Sequence, residues 1–313
     1  MEGAAVQADV LTDPFEEYRS LLFAMAYRML GSAMEAEDIV QEAYLRYRDT
    51  PPESIRTLRS FLTTIVHHLC LDHLKSARVQ RESYVGPWLP EPVITGDAAP
   101  ARSPLRQITD RESISMAFLV LLENLSPLER AVFLLREVFD YEYAEIAQII
   151  ERDEAACRQL FSRAKKHLRE HRPRFPASPE AHAKMVGRFM DAFTAGDIDG
   201  LTTLLAEDIT VWSDSGGKVS QAVRHPIMGR DKVVRAVKAL LSHAPEDTIF
   251  ELIEANGLPA LLIRIKGQIT GVLTLEVAGD LVCAIRTVVN PDKLAYLHPT
   301  SVSGQQWRID RDH

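Results

Sequence analysis

Apolar residues recur every three or four positions from Pro14 to about Arg81, in three successive runs. Leu21, Leu22, Met25, Ala26, Met29 and Leu30 form one stripe, and Gly31-Ser32 breaks it, so the pattern predicts a helix that ends there. The next run, AEDIVQEAYLRY from Ala36 to Tyr47, turns Ile39, Val40, Ala43 and Tyr47 toward a core. It leaves Glu37, Asp38, Gln41 and Glu42 outward and stops before Pro51-Pro52. The third, Leu58 to Arg81, has Phe61, Leu62, Ile65, Val66, Leu69 and Leu74 on one side. Thr64, His67, His68, Asp72, Lys75 and Arg78 lie on the other. That polar, partly basic face suits a single nucleic-acid strand, whereas the spacing of His67, His68 and Asp72 is poor for one metal ion.

From about Glu82 to Arg111 the periodicity lapses. Pro87, Pro90, Pro92, Pro100 and Pro104 mark a connector too poor in apolar runs to fold alone. Within it YVGPWLPEP, Tyr84 to Pro92, sets two aromatics among prolines. Either this segment docks as a stiff extended strip, or Trp88 simply covers the edge of a neighbouring domain.

Helical spacing resumes at Ser113 with Ile114, Phe118, Leu121, Leu122 and Leu125. Ser126, Pro127 and Glu129 then form a capping-box start for a helix reaching about Phe139, whose Ala131, Val132, Leu134, Leu135 and Val138 supply a packing platform. Glu142 to His171 reads as two short helices broken at Glu151-Arg152-Asp153, with Asp153 as N-cap of the second. On that second helix Ala156, Cys157, Leu160, Phe161, Ala164 and Leu168 share one side; Arg158, Gln159, Ser162, Arg163 and Lys166 share the other. A helix-turn-helix needs this division, one face for its scaffold and one for base edges and phosphates. An amphipathic hairpin with a solvated basic face has the same periodicity, and the turn carries Glu151 where a glycine is usual.

After Pro173, Pro176 and Pro179 the period changes again. A helix is predicted from Glu180 to Ala195 and another from Leu201 to Ala206. Strand-like runs follow at Thr210–Trp212, Thr248–Ile253, Leu261–Ile265, Ile269–Val277 and Leu281–Val289, punctuated by Asn256-Gly257 and Gly279-Asp280. Helices followed by a curved antiparallel sheet form an α+β unit.

Composition narrows the function. The chain has 313 residues, enough for two or three domains, and its net charge of -8 argues against indiscriminate binding to nucleic acid. The basic charge is local instead: Arg158, Arg163, Lys165, Lys166, Arg169, Arg172 and Arg174 face a single acid, Glu170. Cys70, Cys157 and Cys283 are far apart and make neither a disulfide framework nor a zinc spacing, so they are expected to be reduced core residues. No apolar run is long enough for a membrane span and the N-terminus has no signal-peptide pattern, so a cytoplasmic protein is expected. Neither a metal nor a cofactor is expected.

AEDIVQEAYLRY, then SFLTTIVHHLCLDHLKSAR, then a helix-turn-helix near residue 150 together resemble the extracytoplasmic-function (ECF) sigma factors of bacterial RNA polymerase. The resemblance covers about the first 170 residues. It implies that the chain binds core polymerase, with Asp38, Gln41 and Glu42 on the β′ clamp helices and the second helical unit at the β flap. It further implies that Thr64, His67, His68, Lys75 and Arg78 meet the unpaired -10 strand, and that Arg158, Gln159, Ser162, Arg163 and Lys166 read the -35 element. Many members carry Arg-Asn where this chain has His67-His68.

AGDIDGLTTLLAEDITVWSDSGGK, Ala195 to Lys218, resembles a SnoaL-like domain, the cone-shaped α+β fold shared with ketosteroid isomerases. Trp88, the loop Asp214-Ser215-Gly216-Gly217-Lys218 and the run Asn290-Pro291-Asp292-Lys293-Leu294 are similar to motifs of ECF sigma factors that bear such an extension. The resemblance implies that Trp88, Asp214, Gly216, Gly217, Lys218, Asn290, Pro291, Asp292 and Lys293 hold a regulatory contact acting in cis. The expected division is 1–85 for sigma region 2, 86–111 for a linker, 112–175 for sigma region 4 and 176–313 for the SnoaL-like unit. Two other readings stay open: a one-component DNA-binding regulator, and a ligand-binding or enzymatic SnoaL-like protein using Asp214, His225, Asp231 or His243.

Overall fold

In the computed structural model residues 13–96, 114–171, 178–219, 223–297 and 305–309 are described, apart from the side chains of 77–82, 171 and 179. Asp13 accepts from Phe15 N–H and opens α1, Pro14–Leu30, which Gly31 closes at φ 71°. Ser32 caps α2, Ala33–Asp49, and α3 runs Leu58–Glu82 after a turn of 3₁₀ helix at Pro52–Ser54. The three helices pack on the stripes that their periodicity predicts, with Leu22, Met25, Met29, Ile39, Val40, Leu62 and Val66 buried between them.

The second helical group follows as α4 (Met116–Leu122), α5 (Pro127–Phe133, continued by a π turn to Val138), α6 (Tyr143–Ile149) and α7 (Glu154–His171). The capping box at Ser126 and Glu129 forms in both directions, and Asp153 Oδ1 accepts from Ala156 N–H at 2.7 Å. Between α6 and α7, Glu151 takes φ 55°, so the turn keeps its left-handed residue without a glycine.

Both helical groups share one continuous apolar core. Arg130 of α5 is buried and donates to Met29 O of α1 at 2.5 Å and to Glu123 at 2.8 Å, and burial pulls its pKa down to about 10. The loop before α6 lies on α3: the Tyr141 and Thr63 hydroxyls are 2.8 Å apart, and Arg59 stacks its guanidinium 4.8 Å from the Tyr141 ring.

The remaining described residues build an α+β unit from α8 (Pro179–Thr194), α9 (Ile198–Leu204), β1 (Leu205–Asp214), β2 (Ile227–Met228) and α10 (Arg230–His243). After these come β3 (Thr248–Ala255), β4 (Leu258–Ile265), β5 (Gln268–Ala278), β6 (Leu281–Val288), α11 (Pro291–Leu294) and β7 (Gln306–Arg308). The strand order is β2-β1-β6-β5-β4-β3-β7. The sheet is mixed rather than antiparallel throughout: β1 runs parallel to β6, because β1 enters directly from α9 and the chain must cross over through α10 before returning. Helix α10 is absent from the strand-based expectation; its Val233, Val234, Val237 and Leu241 lie at helical spacing and pack on the sheet.

The two faces of the sheet have different partners. One is covered by α8, α9 and α10 around Phe189, Phe193, Leu261 and Leu275. The other, with Ile253, Ala260, Leu262, Val272 and Val288, is covered by Leu89, Ile94, Met116 and Leu294. The proline-rich segment therefore lies against the sheet, and Ile94 pairs with Ala255 in an isolated bridge. Cys70 and Cys157 are buried thiols and Cys283 is only half-buried. Among the described residues no helix is long and apolar enough to cross a membrane.

A left-handed φ costs an L-residue roughly 1–2 kcal/mol, partly offset in glycine by its larger unfolded-state entropy. Glu151→Gly should therefore raise stability by about 0.5–1 kcal/mol, measured by denaturant titration; a loss of stability would show that the Glu151 side chain contributes more than its backbone strain removes.

Candidate nucleic-acid interface and interdomain lock

Helix α7 presents its basic residues to solvent. Arg158, Gln159, Ser162, Arg163 and Lys166 are all exposed on one side, while Cys157 and Ala164 are buried on the other. Arg158 lies 4.4 Å over the Tyr143 ring and pairs with Glu154 at 2.7 Å, which holds its guanidinium along the helix; Arg163 lies 3.8 Å from Glu129. Arg158, Ser162 and Lys166 line an open groove of about 630 Å³ together with Tyr143 and Phe161. These forked and ammonium donors can meet base edges and phosphates.

The face of α3 is differently placed. Thr64 and His68 are half-buried, the Thr64 hydroxyl bonds back to Ser60 O, and exposed Lys75 pairs with Asp72 at 2.8 Å. The Arg78 side chain is outside the described residues. His67 corrects the expectation of an outward residue: only 1% of its surface is exposed, one turn beyond the Thr63–Tyr141 contact. Its Nε2 has no hydrogen-bond partner among the described residues. Burial, with His68 beside it, lowers its pKa to about 4.

On α2, Asp38 and Gln41 are exposed, and Glu42 is half-buried beside Arg46 at 2.9 Å. Their neighbour Glu37 accepts from Arg19 at 3.1 Å and from Tyr296 at 3.3 Å. Tyr296 follows α11 and stacks on Phe23, so the α+β unit reaches the flank of this acidic face.

Asp214, at the end of β1, is wholly buried and organises the expected regulatory residues. Its Oδ2 accepts from Leu89 N–H at 2.8 Å and from Lys293 Nζ at 2.7 Å; its Oδ1 accepts from Tyr84 O–H at 2.5 Å and Gly216 N–H at 3.2 Å. Lys293 also donates to Leu89 O and lies 4.1 Å over the Trp88 ring. Asn290 caps α11, with Pro291 in its first turn, and donates to Tyr84 Oη at 2.9 Å. Lys218 pairs with Asp292 outside. Gly216 and Gly217 have φ of 56° and 75°, and a Cβ on Gly216 would lie 2.5 Å from Asn290 Nδ2. Burial, then the bond to Asp214, pushes the Tyr84 phenol well above its usual range.

A second set of contacts escapes the sequence reading. Glu91 accepts from Ser32 O–H, Ala33 N–H and Met34 N–H at 2.8, 2.7 and 3.1 Å, placing a carboxylate on the N-terminus of α2. Burial pushes its pKa up, opposed by those donors. Asn256, at φ 53° in the β3–β4 turn, exchanges bonds with Val93 and donates to Tyr27 Oη at 2.6 Å and Ile114 O at 2.9 Å. Tyr27 O–H in turn donates to Glu91 O at 2.6 Å. Trp88 fills the space over Gly31, where a Cβ would lie 2.7 Å from its ring. Asn256-Gly257 signals a turn, and nothing in that dipeptide signals a partner 229 residues away.

The isomerase-type candidates are not brought together. Asp214 is engaged as above, Asp231 and His243 lie at opposite ends of α10, and His225 is exposed on a separate loop.

Family models for sigma-70 region 2 and sigma-70 region 4 match residues 14–79 and 115–168. The ECF RNA polymerase sigma factor SigJ of Mycobacterium tuberculosis is 40% identical over 289 residues, covering 89% of this chain and 91% of that protein. The chain belongs to the ECF family of RNA polymerase sigma factors. Another sigma factor, SigG of the same species, is 33% identical over 80% of this chain and 72% of its own. The crystal structure of M. tuberculosis SigJ aligns with a TM-score of 0.74 at 36% identity, over 90% of this chain and 96% of that one. The similarity thus extends through the α+β unit, and this sigma factor is a promoter-directing protein whose helix-turn-helix belongs to region 4.

Two measurements test the geometry. Removing one partner of a buried ion pair costs on the order of 3 kcal/mol, whereas replacing both by apolar residues costs less. Asp214→Ala should therefore make the segment 84–96 more open to proteolysis, while Asp214→Leu with Lys293→Met, which also removes the orphaned ammonium, should restore part of the protection; equal sensitivity in both variants would refute the coupling. His67 has a folded pKa of about 4 against an unfolded value near 6.5, so the unfolded chain binds the extra proton between those values. Stability should fall by roughly 3 kcal/mol as pH drops from about 6.5 to about 4 and no further on this account. His67→Leu should remove that slope in denaturant titrations.

Proposed function

We propose that the α+β unit holds this cytoplasmic sigma factor in a compact form that cannot read a whole promoter, and that releasing the segment 84–96 frees it. The supporting observation is the single apolar core shared by the two helical groups. Elements named -10 and -35 lie about 25 base pairs apart, or roughly 85 Å at about 3.4 Å per pair. Helices packed in one core cannot reach both at once. Burial of Thr63 and His67 beneath the loop 139–142 supports the same reading, because that side of α3 is unavailable until the second group leaves.

On this reading Asp38, Gln41 and Glu42 engage the β′ clamp helices of core polymerase, and the second helical group engages the β flap. Thr64, His68, Lys75 and Arg78 face the unpaired -10 strand, with His67 joining them after opening. Arg158, Gln159, Ser162, Arg163 and Lys166 read the -35 duplex, which they can approach even in the compact form. Residues 1–85, 86–111, 112–175 and 176–313 serve as region 2, linker, region 4 and regulatory unit. The chain acts by binding rather than by turnover. The DNA-binding regulator is the weaker reading because α2 carries an acidic, polymerase-type face that such a protein has no use for.

Breaking the docked segment with Asp214→Ala should raise core-polymerase affinity and promoter output in a reconstituted transcription assay relative to the intact chain; unchanged or lower affinity and output would refute restraint in cis. Arg158→Ala or Arg163→Ala should cost about 1–3 kcal/mol in discrimination at one promoter position where the residue reads a base, and a loss uniform across sequences would identify a phosphate contact instead.

A further inference from the structure

Trp212 and Arg286 are register partners on the parallel strands β1 and β6, so their side chains leave the same face of the sheet. The adjacent residues Val211 and Ile285 pack beneath α8–α10, which puts Trp212 and Arg286 on the opposite face. Across from them stand Trp88 and Val85 of the docked segment and Val120 of α4; Arg224 and His225 complete a solvent-open cavity of about 500 Å³. That volume is within the range of small-molecule sites. No carboxylate lines it among the described residues.

Arg286 supplies the second observation. Its side chain is 10% exposed, bonds Glu276 through Nη1 at 2.6 Å and lies 4.9 Å from the Trp212 ring. Its Nε is buried with no hydrogen-bond partner among the described residues. A buried donor of a charged group is costly to leave without an acceptor, and Arg286 is one of the residues that line the cavity beside Trp212. Arg224 and His225, both exposed, add donors at the mouth.

We propose that this cavity binds a small aromatic carboxylate, its flat body between the indole walls and its carboxylate accepting from Arg286 and Arg224. The site lies on the face away from the helices, so it is not the space between α8–α10 and the sheet. Its walls come from the α+β unit, the segment 84–96 and α4, and they meet only when that segment is docked. An occupant therefore binds the compact form and stabilises it by mass action. Resting on the cis-regulatory reading above, such a molecule acts as a co-repressor of the sigma factor.

The test uses the full chain with 2-naphthoate as probe and 2-naphthalenemethanol as its uncharged counterpart, read by tryptophan fluorescence and thermal midpoint. Naphthoate should bind saturably and raise the midpoint, with the alcohol weaker by about tenfold, as expected for loss of a charge-assisted hydrogen bond. Arg224→Glu changes only an exposed residue, and Arg286→Lys keeps the charge while removing Nε; each should weaken naphthoate by about tenfold. No saturable binding, equal binding of the two probes, or full binding by both variants overturns the site. Polymerase association in the presence of naphthoate then separates the two claims: reduced association supports the co-repressor role. Binding that leaves association unchanged upholds the site and overturns the role.

Discussion

A carboxylate removed from water is tolerated only when its neighbours replace the lost solvent, and Asp214 meets that condition only while the segment 84–96 is in place. Three of its partners, Tyr84, Leu89 and Lys293, come from two stretches more than two hundred residues apart. Withdrawing the segment removes two of them together and exposes the sheet face that Leu89 and Ile94 cover. The docking is therefore close to all-or-none. A partly released segment would leave a buried charge poorly solvated without yet relieving the constraint on α3.

The polar contacts are arranged in series along the segment. Tyr84 and Leu89 meet the Asp214 carboxylate, Glu91 meets α2, and Val93 and Thr95 meet the β3–β4 turn. Tyr27 lies where these lines cross, giving its hydroxyl proton to Glu91 O and accepting from Asn256. Region 2, the segment and the sheet thus share one buried hydrogen-bonded junction. Such junctions contribute specificity of arrangement more than raw stability, since each group must be satisfied in one geometry.

Much of this was legible from residue order. The three-helix stripe, the capping box at Ser126, the cap at Asp153 and five of the strands follow from period and punctuation, which are local properties. The basic face of α7 is legible for the same reason. His67 departs from the outward face because helical periodicity assigns faces within one helix and is silent on a second domain that covers the polar side. Helix α10 is not legible because its β-branched valines weaken a helical pattern that packing on the sheet restores. The interdomain roles of Glu91, Asn256 and Tyr296 have no local signal, because they depend on partners distant in the chain.

Under the proposed cis regulation, carrying the restraint on the same polypeptide has a consequence for dosage. The segment 84–96 leads directly out of α3, so the surface it occupies on the sheet is present at a fixed effective concentration, independent of how much protein the cell makes. A separate inhibitor can be outnumbered when synthesis of its target rises. Here the ratio of restraint to target is one in every molecule. On that proposal the balance between compact and open forms is an intrinsic constant of the chain, moved by mutation or a bound molecule but not by copy number.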